Sequence, residues 1–282
     1  MAESWTVLKV LQWTEGYFRE REIAEPRLDA QVLLADQLGL DRVGLYVNFE
    51  RPLSPQELAE FRQRVGRRVR HEPVQYILGR SEFWSLTLRV TPAVLIPRAD
   101  TEVLVEEALA RAPAAANLLD VGTGSGAIAI ALAHELPAAT VLAVDLSLEA
   151  LAVAATNAQL NQVADRIVFQ RGDLTELPAG PFDLIVSNPP YIPVGEIAAL
   201  MPEVRDFEPH LALDGGADGL ASVRHLARQA PSRLRPGGWL LVEIGVGQAE
   251  AAKELFLHAA LAEVFARDDY AGIPRVVGGR KL

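Results

Sequence analysis

The spacing of apolar positions changes twice along the chain. Up to about residue 78 they recur every three or four residues, the period of helices with one buried face. Leu8, Val10, Leu11 and Tyr17 make one such stripe. Pro26 suits the first turn of a second helix carrying Leu28, Val32, Leu33 and Leu38, and Gly39 suits its end. Ser54-Pro55-Gln56-Glu57 spells a capping box ahead of Leu58, Phe61 and Val65. Across 82–90 the pattern shortens to a weak alternation through Phe83, Trp84, Leu86, Leu88 and Val90, which predicts a hairpin. Residues 101–110 predict a helix with Val103, Leu104 and Ala108 inward.

From Asn117 short apolar runs alternate with helical stretches. Strands are predicted at 118–121, 140–145, 167–170, 182–187, 239–244, 262–267 and 274–280, with helices at 128–136, 148–160, 218–234 and 248–260. Strand and helix alternating over short connections build an α/β unit, a mostly parallel sheet covered on both faces. The predicted organisation is a helical domain over 1–80, a hairpin linker over 81–96 and an α/β domain over 97–282.

Charge refines this division. The 27 basic and 37 acidic residues split as 12 and 12 up to residue 80 and 15 and 25 beyond it, so the α/β part carries the whole net charge of −10. Such a region is a poor surface for duplex DNA or an anionic membrane. The helical part keeps a basic run, Arg62 to His71, that sets Arg64, Arg67, Arg68 and His71 along one side. A solvated face is the ordinary reading, and contact with a partner's RNA or acidic surface is the functional one. With no cysteine, disulfides and thiolate metal sites are excluded, which fits a reducing cytoplasm. Histidines at 71, 134, 210, 225 and 258 lack ligand-like spacing, so no metal is expected. No apolar run is long enough for a bilayer, and the N-terminus, with acidic Glu3, has no basic segment ahead of an apolar core.

The chemistry concentrates at two strand ends. Phe182–Ser187 runs straight into Asn188-Pro189-Pro190-Tyr191. Two prolines end ladder pairing and stiffen the loop, fixing the Asn188 amide and the Pro189 carbonyl at a strand's carboxyl end. A planar amino group, on glutamine or on adenine, has two N–H donors. The Asn188 oxygen and the Pro189 carbonyl would accept both, and the Tyr191 ring would cover one planar face. Asn-Pro and Pro-Pro also make ordinary turns, but all four residues together directly after a buried strand favour a binding loop.

The second end is Asp120-Val121-Gly122-Thr123-Gly124-Ser125-Gly126, followed on the next strand by Asp145. Glycines there let a ligand lie against bare backbone. Gly122, Gly124 and Ala127 also satisfy the dinucleotide fingerprint, and an acid at Asp145 would hold a ribose hydroxyl in either case. An oxidoreductase has no use for an amino-group clamp, whereas a methyltransferase needs both an adenosyl pocket and an acceptor clamp. Asp173 and Leu174, after the third strand, would then flank an adenine, although a loop aspartate equally caps a turn.

Together these residues resemble the HemK/PrmC family, N5-glutamine methyltransferases of the GGQ glutamine in class-I peptide chain release factors. The likeness covers PVQYILG (73–79), VLIPRADTE (94–102), LLDVGTGSGAIAI (118–130), SNPPYIP (187–193), FEPHLALDGGADGL (207–220), LRPGGWLLVEIG (234–245) and AGIPRVV (271–277). The resemblance implies a Rossmann-like methyltransferase fold with a seven-stranded sheet, preceded by a substrate-recognising helical domain. It implies S-adenosyl-L-methionine bound at Gly122, Thr123, Gly124, Ser125, Gly126, Asp145 and Asn188, and glutamine bound at Asn188, Pro189, Pro190 and Tyr191. Methyl transfer would leave S-adenosyl-L-homocysteine, with nucleic acid not a substrate. Ser85 and Ala99 depart from the family's usual glycine and proline. The rival readings are a methyltransferase of adenine N6 in DNA, one acting on glutamine of a ribosomal protein, and a non-catalytic RNA-associated module.

Overall fold

The computed structural model describes residues 4–282; residues 1–3, part of the stretch read above for an export signal, lie outside the described residues. The elements in chain order are α1 (Val7–Arg19), α2 (Pro26–Leu38), α3 (Arg42–Val47), α4 (Pro55–Arg68), α5 (Val74–Leu78), β1 (Arg80–Phe83), β2 (Leu86–Arg89), α6 (Glu102–Arg111), β3 (Asn117–Val121), α7 (Ala127–Glu135), β4 (Thr140–Asp145), α8 (Leu148–Leu160), β5 (Ile167–Arg171), β6 (Phe182–Ser187), α9 (Pro202–Phe207), α10 (Ala221–Arg233), β7 (Leu234–Glu243), α11 (Ala249–His258), β8 (Ala262–Asp268) and β9 (Pro274–Arg280). Contacts divide the chain into two units, one running through Gly79 and including Pro202–Phe207, the other Arg80–Met201 with Glu208–Leu282. Among the described residues no helix is long and apolar enough to cross a membrane.

The helical unit closes around Val10, Phe18, Leu33, Leu34, Leu45, Phe61 and Val65. Its boundaries follow local chemistry. Pro26 stands in the first turn of α2, and Gly39 closes that helix at φ +64°. Ser54 and Glu57 exchange both capping-box bonds, at 3.2 Å and 2.8 Å. The buried stripe of α1 is Val7, Val10, Leu11, Thr14 and Phe18, one position away from the predicted phase, and Leu8 and Tyr17 flank it half-buried. In α2 the inward residues are Ala30, Leu33 and Leu34, while Leu28 is exposed. Both helices carry apolar residues on more than one side, so periodicity alone did not set their rotation.

The basic run of α4 is held inside its own unit. Arg64 pairs with Asp36, Arg67 grips Glu72 through Nε at 2.8 Å and Nη2 at 2.6 Å, and Arg68 reaches Asp29 at 2.6 Å and Glu203 of α9 at 2.8 Å. Arg68 is buried. The face read as a candidate contact surface thus has Arg64, Arg67 and Arg68 already neutralised.

In the second unit seven strands form one sheet in the order β5-β4-β3-β6-β7-β9-β8. The first five of these run parallel, and β9 is antiparallel to both neighbours. One face packs against Leu104, Ile130 and Leu132, the other against Val223, Leu226 and Phe256. Chain order steps outward from β3 to β4 on one side and crosses to β6 on the other, a switch point that opens a crevice at the carboxyl ends. The hairpin predicted as a linker is a two-stranded sheet whose Phe83 and Leu88 join the core of this unit.

The hairpin turns through Trp84 at φ +53° and Ser85 at φ +57°. A left-handed pair is what a tight hairpin requires, and glycine adopts it without a Cβ penalty. Ser85→Gly is therefore expected to stabilise the protein by roughly 0.5–1 kcal/mol, read as a rise in the urea midpoint. A fall would show that the serine side chain holds the turn.

Candidate active site

The site is assembled where β3, β4 and β6 end. Val121 is registered with Ser187 across the β3–β6 pairing, so the glycine loop and the Asn188 loop leave the sheet side by side. Ser187 Oγ donates to the Val121 carbonyl at 2.7 Å and ties the two ends together. The glycine loop folds back on β4, with Gly122 and Thr123 N–H groups both donating to the Val144 carbonyl. Gly124, at φ +55°, turns its N–H onto Asp145 Oδ2 at 2.8 Å. A Cβ on Gly126 would lie 3.0 Å from Ile130 and 3.1 Å from Ala154, so the third glycine serves the close approach of α7 to α8.

A cavity of about 570 Å³ opens here. Among its lining residues are Gly122, Thr123, Gly124, Ser125, Asp145, Asp173, Leu174, Asn188 and Pro190. Gly126, Pro189 and Tyr191 are not in the lining. Pro189 is buried, and Tyr191, expected to cover one face of a bound amino group, has its ring against Gly245. The Tyr191 carbonyl accepts from Gln248 Nε2 at 2.9 Å, which anchors the loop to the N-terminal end of α11. Asp173 is both a lining residue and a turn residue, its Oδ1 accepting from the Thr175 N–H at 2.9 Å.

Several polar groups in and behind the lining were given no role from the sequence. Asn188 Nδ2 donates to Thr101 Oγ1 at 3.0 Å, and Thr101 lies close enough to Glu243 to pull its pKa down. Glu243 is 1% exposed, and burial pushes its carboxyl up to about 7, against the pull of Thr101 and Arg275. Burial likewise pushes Asp120 up to about 7, against a hydrogen bond from Thr123. The Tyr191 phenol is held up to about 12, chiefly by burial and also by the Glu243 charge. Arg98 lines the cavity and grips buried Glu208 through both carboxylate oxygens, at 2.7 and 2.8 Å. Glu102 accepts from the Trp84 N–H at 2.7 Å.

The signal for Glu243 was present, a lone carboxylate closing the apolar run Trp239-Leu240-Leu241-Val242. Thr101 gave none, because its partners are 87 and 142 positions away. Among the described residues no group of histidines and carboxylates is arranged to hold a metal ion.

The arrangement has three chemical capacities. Bare backbone and the Asp145 carboxylate can hold a hydroxylated ligand. The apolar side chains of Leu146 and Leu174 in the lining can take an aromatic ring. Asn188, in the lining, donates one N–H to Thr101, and its amide oxygen can accept.

Residues 9–79 match the family model of the PrmC N-terminal domain, and residues 99–201 match the methyltransferase small domain. Among solved structures, a methyltransferase from Pyrococcus furiosus aligns with TM-score 0.53 at 19% identity, over 70% of this chain and 89% of that one. The hMettl16 catalytic domain, solved with an RNA hairpin, aligns with TM-score 0.57 at 18% identity, over 70% and 76%. These two likenesses concern the fold. A curated relative from Geobacter sulfurreducens named release factor glutamine methyltransferase is 54% identical over 99% of this chain and 98% of its own length. One of the same name from Bradyrhizobium diazoefficiens is 47% identical over 94% and 91%. Similarity of that extent, spanning the helical unit and the sheet alike, places the chain in the release factor glutamine methyltransferase family.

Proposed function

We propose that this protein transfers a methyl group from S-adenosyl-L-methionine to the side-chain nitrogen of a protein glutamine, the GGQ glutamine of class-I peptide chain release factors. The observation that carries this reading is the placement of Asn188. It lines the same cavity as the glycine loop and Asp145, with its Nδ2 donating to Thr101.

The cavity fits such a cofactor on its own chemistry. Asp145 already accepts from the N–H groups of Gly124 and Ser147, at 2.8 and 2.9 Å. A carboxylate has about four lone-pair sites, so two remain for ribose hydroxyls. Gly122–Ser125 would lie along the methionyl part, with Asp173 and Leu174 at the adenine. When bound, the cofactor supplies a methyl group activated by its sulfonium.

The chain's part is positioning. Asn188 Oδ1 and the Pro189 carbonyl accept the two amide hydrogens of the glutamine, which biases electron density onto its nitrogen and aims it into the cavity. Pro190 walls the same space. Tyr191 holds this loop in place through its carbonyl and its contact with Gly245. We place substrate recognition in the helical unit, and the −10 charge beyond residue 80 argues against duplex DNA as the acceptor.

The direct test is labelled methyl transfer to a class-I release factor, to its GGQ Gln→Ala variant and to duplex DNA. Label is expected on the first alone; label on DNA would favour the adenine-N6 reading. Asp145→Ala should weaken S-adenosylmethionine binding by roughly 1.5–3 kcal/mol through lost ribose contacts, measured by calorimetry. Unchanged affinity would remove Asp145 from the site. Asn188→Ala should lower the single-turnover rate by about two orders of magnitude with a smaller effect on cofactor affinity. A rate within a few-fold of wild type would leave the Asn188 loop as only a turn.

A further inference from the structure

Charge along the cavity wall is lopsided. Asp145, Glu149, Asp173 and Asp214 stand in the lining, and Arg98 is the one arginine or lysine there among the described residues. An acidic wall suits the hydroxyl, amino and sulfonium groups of a ligand and repels an anionic group of the same ligand.

The glycine loop does little to offset that repulsion. Glycine-rich loops bind anions by turning successive N–H groups towards them. Here the N–H groups of Gly122 and Thr123 are spent on the Val144 carbonyl, that of Gly124 on Asp145 and that of Gly126 on the Thr123 carbonyl. The charged donor that remains is Arg98.

Arg98 is gripped from behind. Its Nη2 donates to both oxygens of Glu208, at 2.7 and 2.8 Å, and the Glu208 side chain is 1% exposed against 38% for Arg98. Nε and Nη1 keep N–H groups to offer a ligand, and a guanidinium stays charged whichever protonation state its partner takes. Its place along the cavity follows from the turn it begins. The Thr101 N–H donates to the Arg98 carbonyl at 3.1 Å, and Thr101 Oγ1 accepts from Asn188 at 3.0 Å. Arg98 therefore belongs to the β6 end of the cavity, whereas Asp173 and Leu174 follow β5, beyond β3 and β4 in the sheet.

Resting on the reading of the cavity as an S-adenosyl-L-methionine site, we propose that Arg98 receives the α-carboxylate of the methionyl group. That carboxylate is the cofactor's one anionic group, and along the covalent chain it lies beyond the sulfonium, on the side away from the adenine. An adenine at Leu174 and a carboxylate at Arg98 place the two ends of the cofactor at the two ends of the cavity. The Arg98–Glu208 pair is then a specificity element for the amino-acid end of the cofactor, complementary to Asp145 at the ribose.

The test compares two ligands by calorimetry on the intact protein, S-adenosyl-L-homocysteine and S-adenosyl-3-thiopropylamine, which differ in the carboxylate alone. Wild type should prefer the first by about 10–100-fold, the range of a charge-assisted hydrogen-bonded pair. Arg98→Gln should bring that preference below about threefold by weakening the first ligand, with affinity for the decarboxylated one changed by less than about threefold. Because Arg98→Gln leaves Glu208 buried without its cation, Arg98→Gln/Glu208→Gln is the second variant, and it should show the same loss of preference should the single one fail to fold.

Equal affinity of the wild type for the two ligands overturns the carboxylate subsite. So does a variant that weakens both ligands alike, which would make the Arg98–Glu208 pair a staple between two segments and nothing more. A wild type that binds neither ligand would sink the cofactor reading of the cavity, and the subsite with it.

Discussion

The parallel pairing of β3 with β6 is the constraint on which the site depends. These strands are distant in sequence, yet Val121 stands opposite Ser187, and the Ser187 hydroxyl is bonded to the Val121 carbonyl. The register sets the first residues of two loops at neighbouring positions on the carboxyl edge of the sheet. In a strand the side chains alternate, so a slip of one residue would turn Ser187 to the other face and carry Asn188 out of line with the glycine loop. Leu118, Leu119, Leu184, Ile185 and Val186 are all buried in the strands concerned, and a slip would misplace all of them together. The register is held by the core, and the site inherits its precision from there.

Around that edge the protein keeps polar groups where an apolar interior would be simpler. Asp120 and Glu243 are almost wholly buried, and one oxygen of each has no hydrogen-bond partner. Burial disfavours their ionised forms, which is why both carboxyls are pushed up to about 7. Asp120 nonetheless accepts from the hydroxyl of Thr123, a lining residue, at 2.7 Å. Arg98, also in the lining, grips buried Glu208 through both of its carboxylate oxygens.

What could be read from the sequence was what is local. Strand-to-helix alternation, the capping box at Ser54 and Glu57, the glycine loop and the Asn188 loop all declare themselves within a few residues, and the structure brings most of the named site residues into one cavity. The phase of α1 was less legible, because Leu8 and Tyr17 are as apolar as the residues that proved buried. Membership of α9 in the helical unit was hidden altogether, since its contacts there, such as the Glu203 bond to Arg68, span 135 positions. The covering role given to the Tyr191 ring followed from its neighbours in the chain. The structure puts that ring against Gly245, a partner that no local pattern names.

The segment over 207–220 shows how a stretch particular to a family can matter without contributing a reactive group. The Ile192 N–H donates to the Leu213 carbonyl and the Gly215 N–H to the Ile192 carbonyl, so this segment lies directly on the loop that follows Asn188. A Cβ on Gly215 would come within 2.8 Å of the Tyr191 backbone, and one on Gly219 within 2.2 Å of its carbonyl oxygen. Real side chains do not occupy such positions, so any substitution there must push the Tyr191 backbone, and with it the Pro189 carbonyl two residues earlier. The same Tyr191 oxygen accepts from Gln248, whose own carbonyl is held by the Gly245 N–H. The loop is thereby clasped from both sides by backbone and amide groups, and glycine is required because nothing larger leaves room for the clasp. The reach of Asn188 into the cavity is set by residues that never enter it.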